Sequence, residues 1–293
     1  MIRGRLEAAL RTVLEMPALQ IESLQAVGGG CIHNAARVAT TAGDFFAKWN
    51  DTCPADLFLR EADGLRELAA AESGLVVPRV LAAMDSLEGD PPFIIMEYLS
   101  PGKGAGDRDD ERLGRGLAAV HRRRGETFGF PTNTYCGATP QDNTPSASWL
   151  EFYAERRLRP ILGLIDRNRA FPAPDRRLFD RLVDQLGDHL PADVTPSLIH
   201  GDLWSGNVMA TSGGPAIFDP ACAYADREME FGITTLFGGF SDRFWRAYQE
   251  AWPLPAGWRE RNPLYQLYHL LNHHLLFGGH YGAEALAIAM RFN

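Results

Sequence analysis

The sequence is short of the features that would make it a disulfide scaffold, a polyanion binder or a membrane protein. Only 4 cysteines occur in 293 residues, and Cys31, Cys53, Cys136 and Cys222 show no Cys-x-x-Cys or metal-type spacing. A chain this long needs no covalent staples, so reduced thiols and a cytoplasmic location are expected. Basic residues (29) are outnumbered by acidic ones (37), which leaves a net charge of −8. A phosphate backbone is met by an excess of Lys and Arg, so nucleic acid is not an expected partner. Nor does any apolar stretch approach the roughly 20 residues that span a bilayer. The longest candidate, Leu75 to Met84, is broken by Pro78 and Arg79, so no membrane partner is expected either. Residues Met1 to Glu15 place Arg3, Arg5, Glu7 and Arg11 among Leu6, Leu10, Val13 and Leu14, a pattern that predicts an amphipathic helix and not a signal peptide.

What the chain does have is one octapeptide of dense chemistry, His200-Gly201-Asp202-Leu203-Trp204-Ser205-Gly206-Asn207. The apolar runs Ser197-Leu198-Ile199 and Val208-Met209-Ala210 flank it, and a second carboxylate, Asp219, follows the run Ala216-Ile217-Phe218. Phosphoryl transfer needs a carboxylate to orient and deprotonate an attacking hydroxyl, together with oxygen ligands that hold Mg²⁺ against the phosphates of ATP. Asp202 suits the first task, and Asn207 with Asp219 suits the second. The alternative, a plain hairpin whose Asp and Asn satisfy turn backbone, leaves Asp219 unexplained.

The upstream sequence supplies the other parts of such a site. Gly28-Gly29-Gly30 stands at the tip of an expected hairpin (Ile21 to Val27, Ala35 to Thr41), where backbone N–H groups can approach an anion. Lys48 lies in the middle of a third strand, Asp44 to Asn50. Ala55 to Ala71 has helical periodicity that puts Glu61 in the apolar stripe with Leu57, Leu65 and Leu68, so Glu61 needs a buried partner and Lys48 is the available one. Arg79 to Met84 and Phe93 to Tyr98 read as an antiparallel pair around a turn-rich segment. The composition then changes at Ser100-Pro101-Gly102, which divides the chain into an N-terminal nucleotide-binding lobe, 1–99, and a C-terminal catalytic and substrate-binding lobe, 100–293.

His-Gly-Asp with Asn207 and Asp219 resembles the aminoglycoside and choline kinase branch of the protein-kinase-like fold. The full octapeptide, the Gly-Gly-Gly-Cys turn and Leu236-Phe237-Gly238-Gly239-Phe240 are similar to the fructosamine (ketosamine) 3-kinases. The resemblance implies an α+β, two-lobed structure with an antiparallel N-lobe sheet and a mainly helical C-lobe. It implies that Glu97 and Leu99, in the linker between lobes, offer backbone to an adenine. It also implies phosphorylation of the 3-hydroxyl of a free or protein-attached ketosamine, after which loss of phosphate frees the amine. Asp219-Pro220-Ala221 in place of Asp-Phe-Gly argues against a protein kinase. An aminoglycoside or choline kinase, or a silent kinase-like module, remains the alternative.

Other positions carry weaker expectations. Trp204 offers a flat face to a sugar, and Glu230 falls where related kinases brace the catalytic loop. Cys31, beside the phosphate turn, is a redox candidate through which two chains could join, so a monomer or a homodimer is expected. Gly129 to Pro145 is expected to be an irregular loop in which Asn133, Tyr135 and Asp142 are solvated or line a polyol pocket. His269 and His273 have i,i+4 spacing, but without a His-Glu-x-x-His pattern they read as packing residues.

Overall fold

The computed structural model describes residues 2–28, 33–86, 89–102 and 107–293. Its first third is a five-stranded antiparallel sheet in the order β1-β2-β3-β5-β4, formed by Ile21–Ala26, Asn34–Thr40, Gly43–Trp49, Phe93–Glu97 (β5) and Val80–Met84 (β4). Helix α1 (Ile2–Val13) covers one face and α2 (Leu57–Ala69) the other. Strand alternation explains the division. In β5, Phe93 and Ile95 join Leu6 and Leu10 of α1, while Ile94 and Met96 join Leu57, Phe58, Ala62 and Leu65 of α2. Each of the buried Leu, Ile, Phe and Met side chains among them contributes about 1.5–3 kcal/mol of transfer free energy. The same alternation sends Phe46 and Lys48 of β3 toward α2, because Lys48 pairs in register with Ile94.

The remainder is mainly helical. Helix α3 (Asp107–Arg122) precedes a short hairpin of β6 (Thr134–Cys136) and β7 (Thr139–Gln141), so the segment expected to be irregular contains regular structure. Three hydrogen bonds bolt this hairpin to the long helix Trp258–Phe277. Thr139 Oγ1 donates to Asn272 Oδ1 at 2.5 Å, Gln141 Nε2 donates to the Tyr268 hydroxyl at 2.9 Å, and Asn272 Nδ2 donates to the Cys136 carbonyl at 3.2 Å. Buried Arg157 holds its far end by donating to Asn143 Oδ1 and the Asp142 carbonyl.

The expected helix from Trp149 to Ile165 is a continuous rod with a changed pitch. Trp149–Tyr153 (α4) passes through a π-helical turn, Ala154–Leu158, into Arg159–Asn168 (α5). Pro160 lies in the first turn of α5 and lacks the N–H of a regular α ladder, so a widened turn just before it is where the strain is absorbed. After α6 (Ala173–Asp184), two small antiparallel pairs frame the catalytic segment. These are β8 (Ser197–Ile199) with β11 (Ala223–Ala225), and β9 (Val208–Thr211) with β10 (Gly214–Ile217). Helices α7 (Glu230–Leu236), α8 (Asp242–Ala251), α9 (Trp258–Phe277) and α10 (Tyr281–Arg291) complete the chain. Among the described residues, no helix is long and apolar enough to cross a membrane.

Candidate active site

The octapeptide bends back on itself between β8 and β9, and its backbone is held from below. Gly201 has φ of +80°, and a Cβ there would lie 2.1 Å from the Ala221 carbonyl oxygen, so only glycine fits. Buried Glu230, at the start of α7, accepts the N–H groups of His200 (2.6 Å) and Gly201 (3.0 Å) through its two carboxylate oxygens. Burial alone would raise the Glu230 carboxyl, but His121, His200 and these N–H groups bring it below its ordinary value. The bracing role expected of Glu230 is therefore visible as two hydrogen bonds.

Buried His200 fixes the next residue. Its Nε2 lies 2.9 Å from the Phe218 carbonyl, and its Nδ1 accepts from the Asp202 N–H at 3.3 Å. These partners select the tautomer protonated on Nε2, and burial lowers its affinity for a second proton. Asp202 then projects into the cleft. Burial first, and the charges of Asp219 and Glu230 next, raise its carboxyl well above its ordinary value, against a hydrogen bond from Asn207. A carboxylate with raised proton affinity is suited to receive a hydroxyl proton.

Asn207 lies five positions on, where its Nδ2 donates to the Asp202 carbonyl (2.9 Å) and Oδ2 (3.3 Å) and reaches the Asp219 carbonyl at 3.5 Å. With the amide nitrogen so engaged, Oδ1 is the atom left to meet a cation. Asp219 has φ of +58°, a left-handed conformation that costs a non-glycine residue energy and that clusters at functional sites. Two oxygen donors, Asn207 Oδ1 and the Asp219 carboxylate, are a hard set that fits Mg²⁺.

The upper wall comes from the sheet. Lys48 Nζ lies 2.6 Å from Glu61 Oε1 and 2.7 Å from Asp219 Oδ1, so the expected Lys48–Glu61 pair is joined by Asp219. Burial opposes the Lys48 charge, but the two carboxylates outweigh it and keep the ammonium protonated. Gly64, one turn beyond Glu61 on α2, allows this closeness, since a Cβ there would crowd Pro220 and Cys222 at 3.1 and 3.3 Å.

Lys48, Glu61, Asp202, Asn207 and Asp219 line one cleft of about 760 Å³, which also takes in Gly28, Met96, Glu97, Leu99, Trp204 and Gly206. Gly29, Gly30 and Cys31 lie outside the described residues. Glu97 has a second engagement in the sheet, where its Oε1 accepts the Arg79 N–H at 2.9 Å. The Trp204 indole folds over Gly206, where a Cβ would meet its ring at 2.3 Å, and sets its edge against Phe237 at 6.2 Å. His273 and Tyr281 continue that aromatic wall.

Of the three polar residues proposed for a polyol pocket, only Tyr135 lines the cleft. Asn133 caps the Asn143 N–H, and Asp142 pairs with Arg156 at 2.7 Å. The sequence assigned no site role to His33, Cys136, Phe237 or Tyr281, all of which line the cleft. His33 had a signal in its place shortly after the glycine-rich turn, and Phe237 in the Leu236-Phe237-Gly238-Gly239-Phe240 stretch. His269 is buried as expected, whereas His273 faces the cleft and returns its Nδ1 to the His269 carbonyl, so the two do not form a metal pair.

A five-stranded sheet over a helical base, with a lysine–glutamate pair above an Asp, Asn and Asp, defines a kinase-like phosphotransferase acting on a hydroxyl group. The chain matches the fructosamine kinase family over residues 6–292 and belongs to it. It is 40% identical to the probable ketoamine kinase of Synechocystis sp. over 269 residues, 91% of this chain and 88% of that one. It is also 38% identical to a chloroplastic protein-ribulosamine 3-kinase of Oryza sativa subsp. indica, over 94% of this chain and 80% of the relative. A crystal structure of a fructosamine-3-kinase candidate from Thermobifida fusca superposes with a TM-score of 0.84 at 34% identity, covering 97% of this chain and 99% of that one. An aminoglycoside phosphotransferase crystallised with AMP-PNP and hygromycin B shares the fold, with a TM-score of 0.61 at 17% identity over 96% and 97% of the two chains.

Proposed function

We propose that the protein transfers the γ-phosphoryl group of ATP to the 3-hydroxyl of ribulosamine- or fructosamine-type ketosamines, free or attached to protein. The observation that carries this reading is the convergence of Lys48, Asp202, Asn207 and Asp219 on one cleft with an indole wall beside the base. Residues 1–99 form the nucleotide-binding lobe and 100–293 the catalytic and substrate lobe. The Gly28 turn and Lys48 hold the phosphates, Glu61 holds Lys48, and the backbone around Glu97 and Leu99 meets the adenine. Asn207 and Asp219 would hold Mg²⁺, which would supply charge neutralisation for phosphoryl transfer.

Asp202 accepts the proton of the attacking sugar hydroxyl as its oxygen bonds to the γ-phosphorus and ADP departs. The Trp204 face positions the sugar, and with it the hydroxyl, in line. The phosphorylated ketosamine then enolises and eliminates phosphate, and water hydrolyses the resulting imine to a deoxy-dicarbonyl sugar and the free amine, which amounts to deglycation. The lack of disulfide-type cysteine spacing supports action in the cytoplasm. The test is to incubate the protein with MgATP and a ribulosamine or fructosamine of lysine and to follow products by ³¹P NMR. A new sugar-phosphate resonance followed by inorganic phosphate is expected. ATP consumption with choline or an aminoglycoside, and none with any ketosamine, would overturn the reading.

A further inference from the structure

Three elements that meet beside the catalytic loop bring together a donor set unlike the oxygens of Asn207 and Asp219. Cys136 from the end of β6, Asp202 from the loop and His269 from the middle of α9 each present one ligand atom, all within 4.8 Å of one another. Cys136 and His269 are buried, at 2% and 1% exposure, so the set is held by packing and not by mobile surface chains. The hydrogen bonds that bolt the β6–β7 hairpin to α9 fix the spacing, because Asn272, which ties Cys136 through its carbonyl, is three residues from His269.

Two further features favour an ion. Asn272 Nδ2 lies 3.3 Å from Cys136 Sγ, a contact of the kind that supports a metal-bound thiolate. His269 Nδ1 is buried without a hydrogen-bond partner, although buried polar atoms are nearly always satisfied.

We propose that Cys136, Asp202 and His269 form a binding site for a borderline-soft divalent cation, Zn²⁺, which inhibits the enzyme by occupying its base. A sulfur, an imidazole nitrogen and a carboxylate oxygen are ligands that zinc takes readily and Mg²⁺ does not. Tetrahedral zinc, with bonds of about 2.0–2.3 Å, sets its donors about 3.3–3.8 Å apart. Side-chain rotation closes the remaining gap of about 1 Å, and water completes the fourth position. On binding, the Cys136 thiol gives its proton to solvent and the sulfur bonds to the metal, with no change in oxidation state. One Asp202 oxygen bonds to the same ion and is then unable to receive the substrate proton. Inhibition therefore rests on Asp202 acting as the base, whereas binding does not.

The experiment separates the two. Chelator-treated protein is titrated with Co²⁺, a spectroscopic stand-in for zinc, and the thiolate-to-cobalt charge-transfer band in the near ultraviolet is recorded. Zinc inhibition is then measured at saturating Mg²⁺. The expected result is one Co²⁺ per chain with a thiolate band that zinc displaces and that Cys136→Ser removes. The zinc concentration for half-inhibition, relative to each variant's own rate, should rise at least about tenfold in Cys136→Ser and in His269→Gln. A band that survives Cys136→Ser, the absence of any band, or equal zinc sensitivity in all three proteins would overturn the proposal. A correct band in a protein that turns over no ketosamine would instead overturn the functional reading and leave the metal site standing.

Discussion

Asp202 is held by backbone on both sides, so its side chain can be changed without moving the loop. Its own N–H is tied to His200, and its carbonyl accepts from Asn207. Asp202→Asn keeps the size and shape and one oxygen to accept from Asn207, but removes the charge and the ability to take a proton. The expected outcome is a fall in kcat of about 10²- to 10⁴-fold with nucleotide affinity nearly intact, measured by steady-state kinetics beside calorimetric ATP binding. Retention of more than a tenth of the wild-type kcat would show that Asp202 is not the base. This residue, with Lys48, Glu61, Asn207 and Asp219, was readable because each is a polar type at a position where apolar neighbours or a following strand make it conspicuous. Cys136 was not: it sits in an ordinary hairpin pattern, and the docking of that hairpin against α9 brings it to the cleft, whereas Phe237 was marked only as part of a stretch similar to the ketosamine kinases, with no role attached. The left-handed backbone of Asp219 was equally invisible, because an aspartate carries no sequence mark of its φ angle.

At the scale of elements, α2 links the two halves of the molecule. Its Glu67 accepts from Arg123 Nε and from the Tyr224 hydroxyl, both at 2.6 Å, and Asp56 just before it accepts from the Tyr135 hydroxyl at 2.7 Å. Burial alone would raise the Glu67 carboxyl, but Arg123 and Tyr224 together bring it below its ordinary value. A carboxyl whose folded pKa is depressed contributes stability above its unfolded pKa of about 4.3, and that contribution is lost as pH falls through the folded value. Glu67→Gln should therefore cost about 0.5–1 kcal/mol at pH 7, a modest figure because the Arg123 side chain is 38% exposed. Urea unfolding at a series of pH values checks this, and the gap between the two proteins should close below about pH 4. A gap that stays constant with pH would mean that packing, and not charge, accounts for the loss. The sequence located α2 and all five strands to within a few residues because amphipathic periods of 2 and 3.6 are local. It missed the β6–β7 hairpin, whose strands of three residues each owe their regularity to Asn272, Tyr268 and Arg157 far along the chain.

Across the whole molecule, the sheet and the helical base meet at the cleft through contacts that a nucleotide would bridge. Lys48 of β3 already reaches Asp219 of the base, and Gly102, just past the sheet, donates its N–H to the Ala210 carbonyl of β9. On the proposed reading, an ATP analogue with Mg²⁺ would be held by Lys48 on one side and by Asn207 and Asp219 on the other, and so would bind the folded chain only. At about one hundred times its dissociation constant it adds about 2.7 kcal/mol to stability. For a chain of this size that corresponds to a rise in Tm of about 5 °C. Scanning calorimetry with and without MgAMP-PNP should show that rise, and Lys48→Ala or EDTA should abolish most of it. On that reading the lysine variant would lose a phosphate contact, and the chelator would remove the cation that Asn207 and Asp219 are proposed to hold. If the nucleotide shifts Tm equally in wild type, in Lys48→Ala and in EDTA, it binds without engaging the two walls together, and the shared cleft is not the nucleotide site.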